Sequence, residues 1–106
     1  MKCYCLKDMK KGWFIGDFSP SIIPTSDFEV AVKEYKSGEE EAAHFHKIAR
    51  EITVVVSGKV EMNGRVLTTG DIVELEPGEV SVFKSLSNST TVVVKVPSVI
   101  GDKFLE

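Results

Sequence analysis

The chain has 106 residues and a mass of 11.7 kDa, with 42% hydrophobic and 27% charged residues. This length and apolar content fit one core and argue against two domains, so 1–106 is read as a single unit. Thirteen Lys and Arg against sixteen Asp and Glu leave a net charge of -3 and a pI near 5.4, which excludes the basic footprint of a nucleic-acid-binding protein.

In chain order, MKCYCLKDMKKG opens the sequence without the apolar stretch or small-residue cleavage site of a secretory signal. Aliphatic runs such as Val54-Val55-Val56 fall far short of the roughly 18 to 20 residues of a spanning helix. A cytoplasmic location with no membrane partner is therefore expected. Cys3 and Cys5 read as reduced thiols on an edge segment, because two thiols alone cannot complete a structural zinc site. Gly12 to Phe18 reads as an edge strand, in which Trp13 and Phe14 anchor packing or a dimer seam. Phe28 to Lys36 is a strand with Tyr35 directed to solvent or a subunit contact, and Glu39-Glu40-Glu41 after it is a solvated loop.

Arg50 to Ser57, REITVVVS, is β-branched and apolar on both faces, as in a strand covered by a core on one side and by another subunit on the other. A homodimer is the expected assembly. Lys59 to Met62 and Arg65 to Thr68 flank Asn63-Gly64, a type I′ hairpin signal that sets Val60 opposite Leu67. Ile72 to Glu76, Val80 to Leu86 and Thr90 to Val96 complete the strands, with Lys95 read as facing outward. Short strands at close spacing, without a window of helical periodicity, give an all-β sandwich or barrel.

Both histidines of the chain lie in His44-Phe45-His46. On a strand, residues two apart project to one face, so the two imidazoles can chelate one ion, and Glu51 is near enough to supply a third ligand. Two imidazoles and a carboxylate suit zinc, iron, manganese or nickel and leave positions open for water or substrate. The competing reading is a His-x-His pair that only satisfies hydrogen bonds inside a core.

The spacing of Gly38, His44, His46, Glu51 and Gly58 resembles the first motif of the cupin superfamily, and Gly70-Asp71 through Glu76-Pro77-Gly78 resembles the second. The likeness spans roughly residues 28 to 96. It implies an antiparallel jelly-roll barrel, the double-stranded β-helix, with His44, His46 and Glu51 turned toward its open mouth. The fourth ligand of complete cupin sites falls at Ser81, a poor ligand, which implies weaker metal binding. Alternation then places Thr53 beside Glu51, and Phe83 beside Ser81, as substrate-contact candidates.

Two functions follow from these residues. One is a metal-dependent cupin acting on a small polar molecule, although no histidine remains for proton transfer and only Glu79 or Lys84 stands in as a candidate. The other is a non-catalytic ligand-binding or scaffold cupin. The segments GWFIGDF and VVVKVPSVIGDKFLE are similar to small cupins associated with bacterial surface-polysaccharide and nucleotide-sugar metabolism, which implies a sugar-like ligand.

Overall fold

Inward and outward residues alternate through nearly every extended segment of the computed structural model, which describes all 106 residues. After a 3₁₀ turn at Leu6–Asp8 the chain forms ten strands: β1 Trp13–Ile15, β2 Glu29–Tyr35, β3 Glu40–Phe45, β4 Arg50–Ser57, β5 Lys59–Met62, β6 Arg65–Thr68, β7 Ile72–Leu75, β8 Ser81–Ser85, β9 Ser89–Val96 and β10 Phe104–Leu105. They pair antiparallel into two five-stranded sheets, ordered β1-β2-β9-β4-β7 and β10-β3-β8-β5-β6. This is the all-β jelly roll that the strand rhythm leads one to expect.

Local sequence explains the turns. Asn63 (φ 49°) and Gly64 (φ 79°) both take positive φ, as a type I′ turn requires, and Val60 pairs with Leu67. Gly58 has φ 84°, and a Cβ there would lie 2.3 Å from the Asn88 carbonyl oxygen, so a glycine is needed for both space and conformation.

One reading of the sequence needs correction. The acidic run is not a loop, because β3 begins at Glu40. The Gly38 N–H donates to the Ser85 carbonyl at 2.7 Å and the Ser85 N–H to the Glu39 carbonyl at 2.8 Å, which carries the pairing with β8 back into it. Outside the motif-bearing residues 28–96, β1 forms the expected N-terminal edge, and β10, in the tail, pairs with β3 through Phe104–Phe45 and Leu105–His44. Within the chain, β4 is covered on one side only: Glu51, Thr53 and Val55 are buried, whereas Ile52 and Val54 are half-buried and Val56 is exposed.

The space between the sheets holds both apolar and polar groups. Val55, Val60, Met62, Leu67, Leu75 and Phe83 form an apolar cluster. His44, His46, Glu51, Thr53, Ser81 and Thr91 are buried too, and Met62 and Phe83 of the apolar cluster border the cavity that most of them line. Burial of so many polar groups without full pairing costs stability, and such groups gather where a fold has a task other than packing.

Candidate metal centre

Glu51 stands near the start of β4, His44 on β3, and His46 just past its end. All three are buried, and one ligand atom from each lies within 4.8 Å of the others. The two imidazole centroids are 5.4 Å apart with their planes at 76°, and His46 Nε2 is 3.8 Å from a Glu51 oxygen.

The backbone fixes the tautomers. His44 Nδ1 donates to the Ala42 carbonyl at 2.8 Å, and His46 Nδ1 donates to the Asp102 carbonyl. A carbonyl only accepts, so both Nδ1 atoms carry hydrogen and each neutral ring keeps its lone pair on Nε2. Burial lowers the His46 pKa, which favours this neutral form. His46 Nε2 is buried and has no hydrogen-bond partner, so the lone pair is turned into the cluster unspent. Burial pushes the Glu51 carboxyl upward, opposed by the positive charge of Lys95.

Asp102 holds this corner together. Its carboxylate accepts from the N–H groups of Lys47 (2.9 Å), Ile48 (3.1 Å) and Ala49 (2.8 Å), the connection between β3 and β4, while its carbonyl orients His46. Burial opposes ionisation of Asp102, yet the three N–H groups hold its carboxyl below the usual carboxylate range. Orientation of a ligating imidazole by a backbone carbonyl is a common support for metal sites. The sequence marks Asp102 only as one more acidic residue in a tail.

A cavity of about 210 Å³ opens beside His44 and Glu51, and Thr53, Ser81 and Phe83 line it. Ser81 is the direct cross-strand partner of His44, so the position of the missing fourth ligand does face the cluster. Glu79 and Lys84 do not line the cavity; Glu79 accepts from the Glu76 N–H, and Lys84 pairs with Glu40 at 3.8 Å on the surface.

Four residues assigned elsewhere from the sequence belong to this cavity: Trp13, Tyr35, Glu41 and Lys95. Tyr35 packs on Phe83 and donates to Glu41 at 2.8 Å, with its pKa raised by burial and by Glu41. Lys95 faces inward because Thr91, Val93 and Lys95 share the buried face of β9, and its backbone pairs with that of Glu51. Lys33, on β2, also lines the cavity. The unexpected orientation has one cause. Val30 and Val32 of β2 and Val92, Val94 and Val96 of β9 lie on the outer face of the sheet, so the face that looks more apolar in the sequence is the outer one.

No protein-family model matches the sequence, and no curated protein matches it. Solved structures do. One is a conserved protein with a double-stranded β-helix domain from Klebsiella pneumoniae, with TM-score 0.71 and 24% identity over 98% of this chain and 90% of that one. Another is an RmlC-like cupin protein from Desulfovibrio desulfuricans, with TM-score 0.63 and 18% identity over 71% and 76%. The chain has the cupin fold. A sugar phosphate isomerase of the cupin superfamily from Silicibacter pomeroyi is also similar, with TM-score 0.60 and 20% identity over 69% of this chain and 52% of that one. In this cupin fold, the buried His44–His46–Glu51 cluster is a group that could hold a metal ion.

Proposed function

We propose that this cupin-fold chain holds a divalent transition metal ion on His44, His46 and Glu51, and binds or acts on a small polar metabolite in the adjoining cavity. The observation that carries the reading is the buried, unpartnered Nε2 of His46, aimed into a cluster whose other members offer a second imidazole nitrogen and a carboxylate oxygen. Two neutral imidazoles and a carboxylate suit zinc, iron, manganese or nickel. Such an ion supplies Lewis-acid polarisation of a substrate oxygen. The chain's own contribution is to fix both Nε2 lone pairs, to exclude bulk water from the buried ligands, and to frame the substrate with Thr53, Ser81 and Phe83. A sugar or nucleotide sugar is the proposed ligand class, supported by the hydroxyl and aromatic lining and by the likeness in fold to a sugar phosphate isomerase. A cytoplasmic setting belongs to the same proposal.

Elemental analysis of protein purified without added metal tests it. A stoichiometric ion that His44→Ala removes is the expected result; no ion after reconstitution with zinc, iron, manganese or nickel overturns it.

The proposed assembly is a homodimer through the outer face of the first sheet. Val32, Val92, Val54 and Ile72 align across β2, β9, β4 and β7, and Val30, Val94 and Ile52 form a second row beside them. Contiguous apolar surface of this kind is what self-association covers. Sedimentation is expected to give a dimer for the natural chain and a monomer for Val54→Lys; a monomer in both cases removes the assembly from the proposal.

A further inference from the structure

The cavity wall adjoining the metal-ligand cluster is built for a charge opposite to that of the whole molecule. In a chain of net charge -3, four lysines (Lys11, Lys33, Lys95 and Lys103) line the same cavity as only two carboxylates, Glu41 and Glu51. Lys33 and Lys95 are half-buried, on the inner faces of neighbouring strands β2 and β9. Their ammonium groups stand 5.2 Å and 4.8 Å from the centroid of one ring, Trp13.

Neither ammonium forms an ion pair: Glu29 and Glu51, the cross-strand neighbours of Lys95, and Glu41 attract the two cations only from beyond ion-pair distance. The ion pairs of the chain are His46–Glu51, Arg50–Glu74 and Lys84–Glu40, and no hydrogen bond is donated by Lys33 or Lys95. The nearby Glu41 is engaged by the Tyr35 hydroxyl. Contact with an aromatic ring stabilises one cation. It does not remove the repulsion between two. Burial lowers the pKa of both, and the positive charge of Lys95 lowers that of Lys33 further. Packing alone would be served by uncharged side chains of the same length, so two unpaired cations beside one ring mark a place for a negative charge.

We propose that Lys33 and Lys95, held against Trp13, form a subsite for the oxyanion of an acidic small-molecule ligand whose remaining oxygens face His44, His46 and Glu51. The recognised chemistry is a compact oxyanion, carboxylate or phosphate, attached to a polar body. A cavity of about 210 Å³ is below the roughly 300–1,000 Å³ of pockets for drug-sized molecules, which limits the ligand to a small metabolite. The anion subsite stands on the lysines and Trp13 alone; its orientation toward a metal rests on the function proposed above.

Titration calorimetry on the full-length chain tests both parts, with gluconate, glucose 6-phosphate and glucose as carboxylate, phosphate and neutral probes. Chelator-treated protein is expected to bind one of the acids at least about tenfold more tightly than glucose. The Lys33→Met, Lys95→Met double variant is expected to lose that preference, and Lys33→Arg, Lys95→Arg to retain it. Whichever acid binds tighter identifies the anion. Equal binding of all three probes, or a preference unchanged in the methionine variant, overturns the subsite. The metal reading fails separately: if none of zinc, iron, manganese and nickel binds while lysine-dependent acid binding persists, the orientation toward a metal is removed and the subsite stands.

Discussion

The two walls of the cavity are built differently. The metal-ligand wall comes from eight consecutive residues, His44 to Glu51, and its frame is fixed by backbone, two carbonyls on the imidazole Nδ1 atoms and three N–H groups held by Asp102, while the His46 Nε2 is left free. The adjoining wall is assembled from β1, β2 and β9, in the same sheet as Glu51, and its two lysines form no ion pair. A wall framed in this way holds its geometry before anything binds. The second wall is the one that, in the subsite proposed above, an anion would complete, so the first would govern where a ligand is placed and the second which ligand is admitted.

That contrast breaks most severely at Asp102. Asp102→Ala leaves three N–H groups without their acceptor and frees the His46 ring, so a loss of about 2–4 kcal/mol in denaturant unfolding is expected. Zinc affinity should fall by about 10- to 100-fold in the same variant, as for loss of other supports of a ligating imidazole. Asp102→Asn, which keeps one acceptor oxygen, should fall between. Unchanged zinc affinity in Asp102→Ala would show that the metal-ligand wall does not depend on its backbone frame.

Ser81→His sharpens the comparison by completing the metal-ligand wall. Its backbone already pairs with His44 and its side chain faces the cavity, so a roughly tenfold gain in zinc affinity is expected by competition with a chelating dye. No gain would mean that the cluster opens in another direction.

The smallest effect is expected on the cationic wall without ligand. Burial holds Lys33 and Lys95 below their ordinary value, so the folded chain gives up their protons at lower pH than the unfolded chain does. Between those two values the unfolded state binds more protons, and stability rises with pH until about 10.4, the ordinary lysine value. Thermal melts of the ligand-free protein should show this alkaline gain, and Lys33→Met, Lys95→Met should melt higher near neutral pH without it. Identical pH profiles would mean that the two cations are already compensated.

The metal-ligand wall was legible in the sequence because its parts are local. A His-x-His spacing, a carboxylate five residues on, and glycines that only a turn or a close approach explains all sit between Gly38 and Gly58. The cationic wall was not, because Trp13, Lys33 and Lys95 meet only through the pairing of β1 with β2 and of β2 with β9. Tyr35 reads from the sequence as facing solvent or a subunit contact, yet it and Lys33 share the inward face of β2 and line the cavity. Val30 and Val32 belong to the apolar outer surface, so hydrophobicity alone does not tell the two faces of this strand apart. Asp102 carried no signal at all, since nothing local ties a tail aspartate to a connection more than fifty residues earlier.

The hold of Asp102 on residues 47–49 has a consequence for how an ion would be acquired. Small zinc modules whose ligands are brought together only by the metal are unfolded without it, and chelators denature them. Here the connection between the two histidines and Glu51 is tied down by a carboxylate of the chain itself, and the rings are oriented by carbonyls. The ligand frame is thus pre-organised by the chain, so that at the proposed site ion capture would be uncoupled from folding and the barrel would stay intact whether loaded or bare.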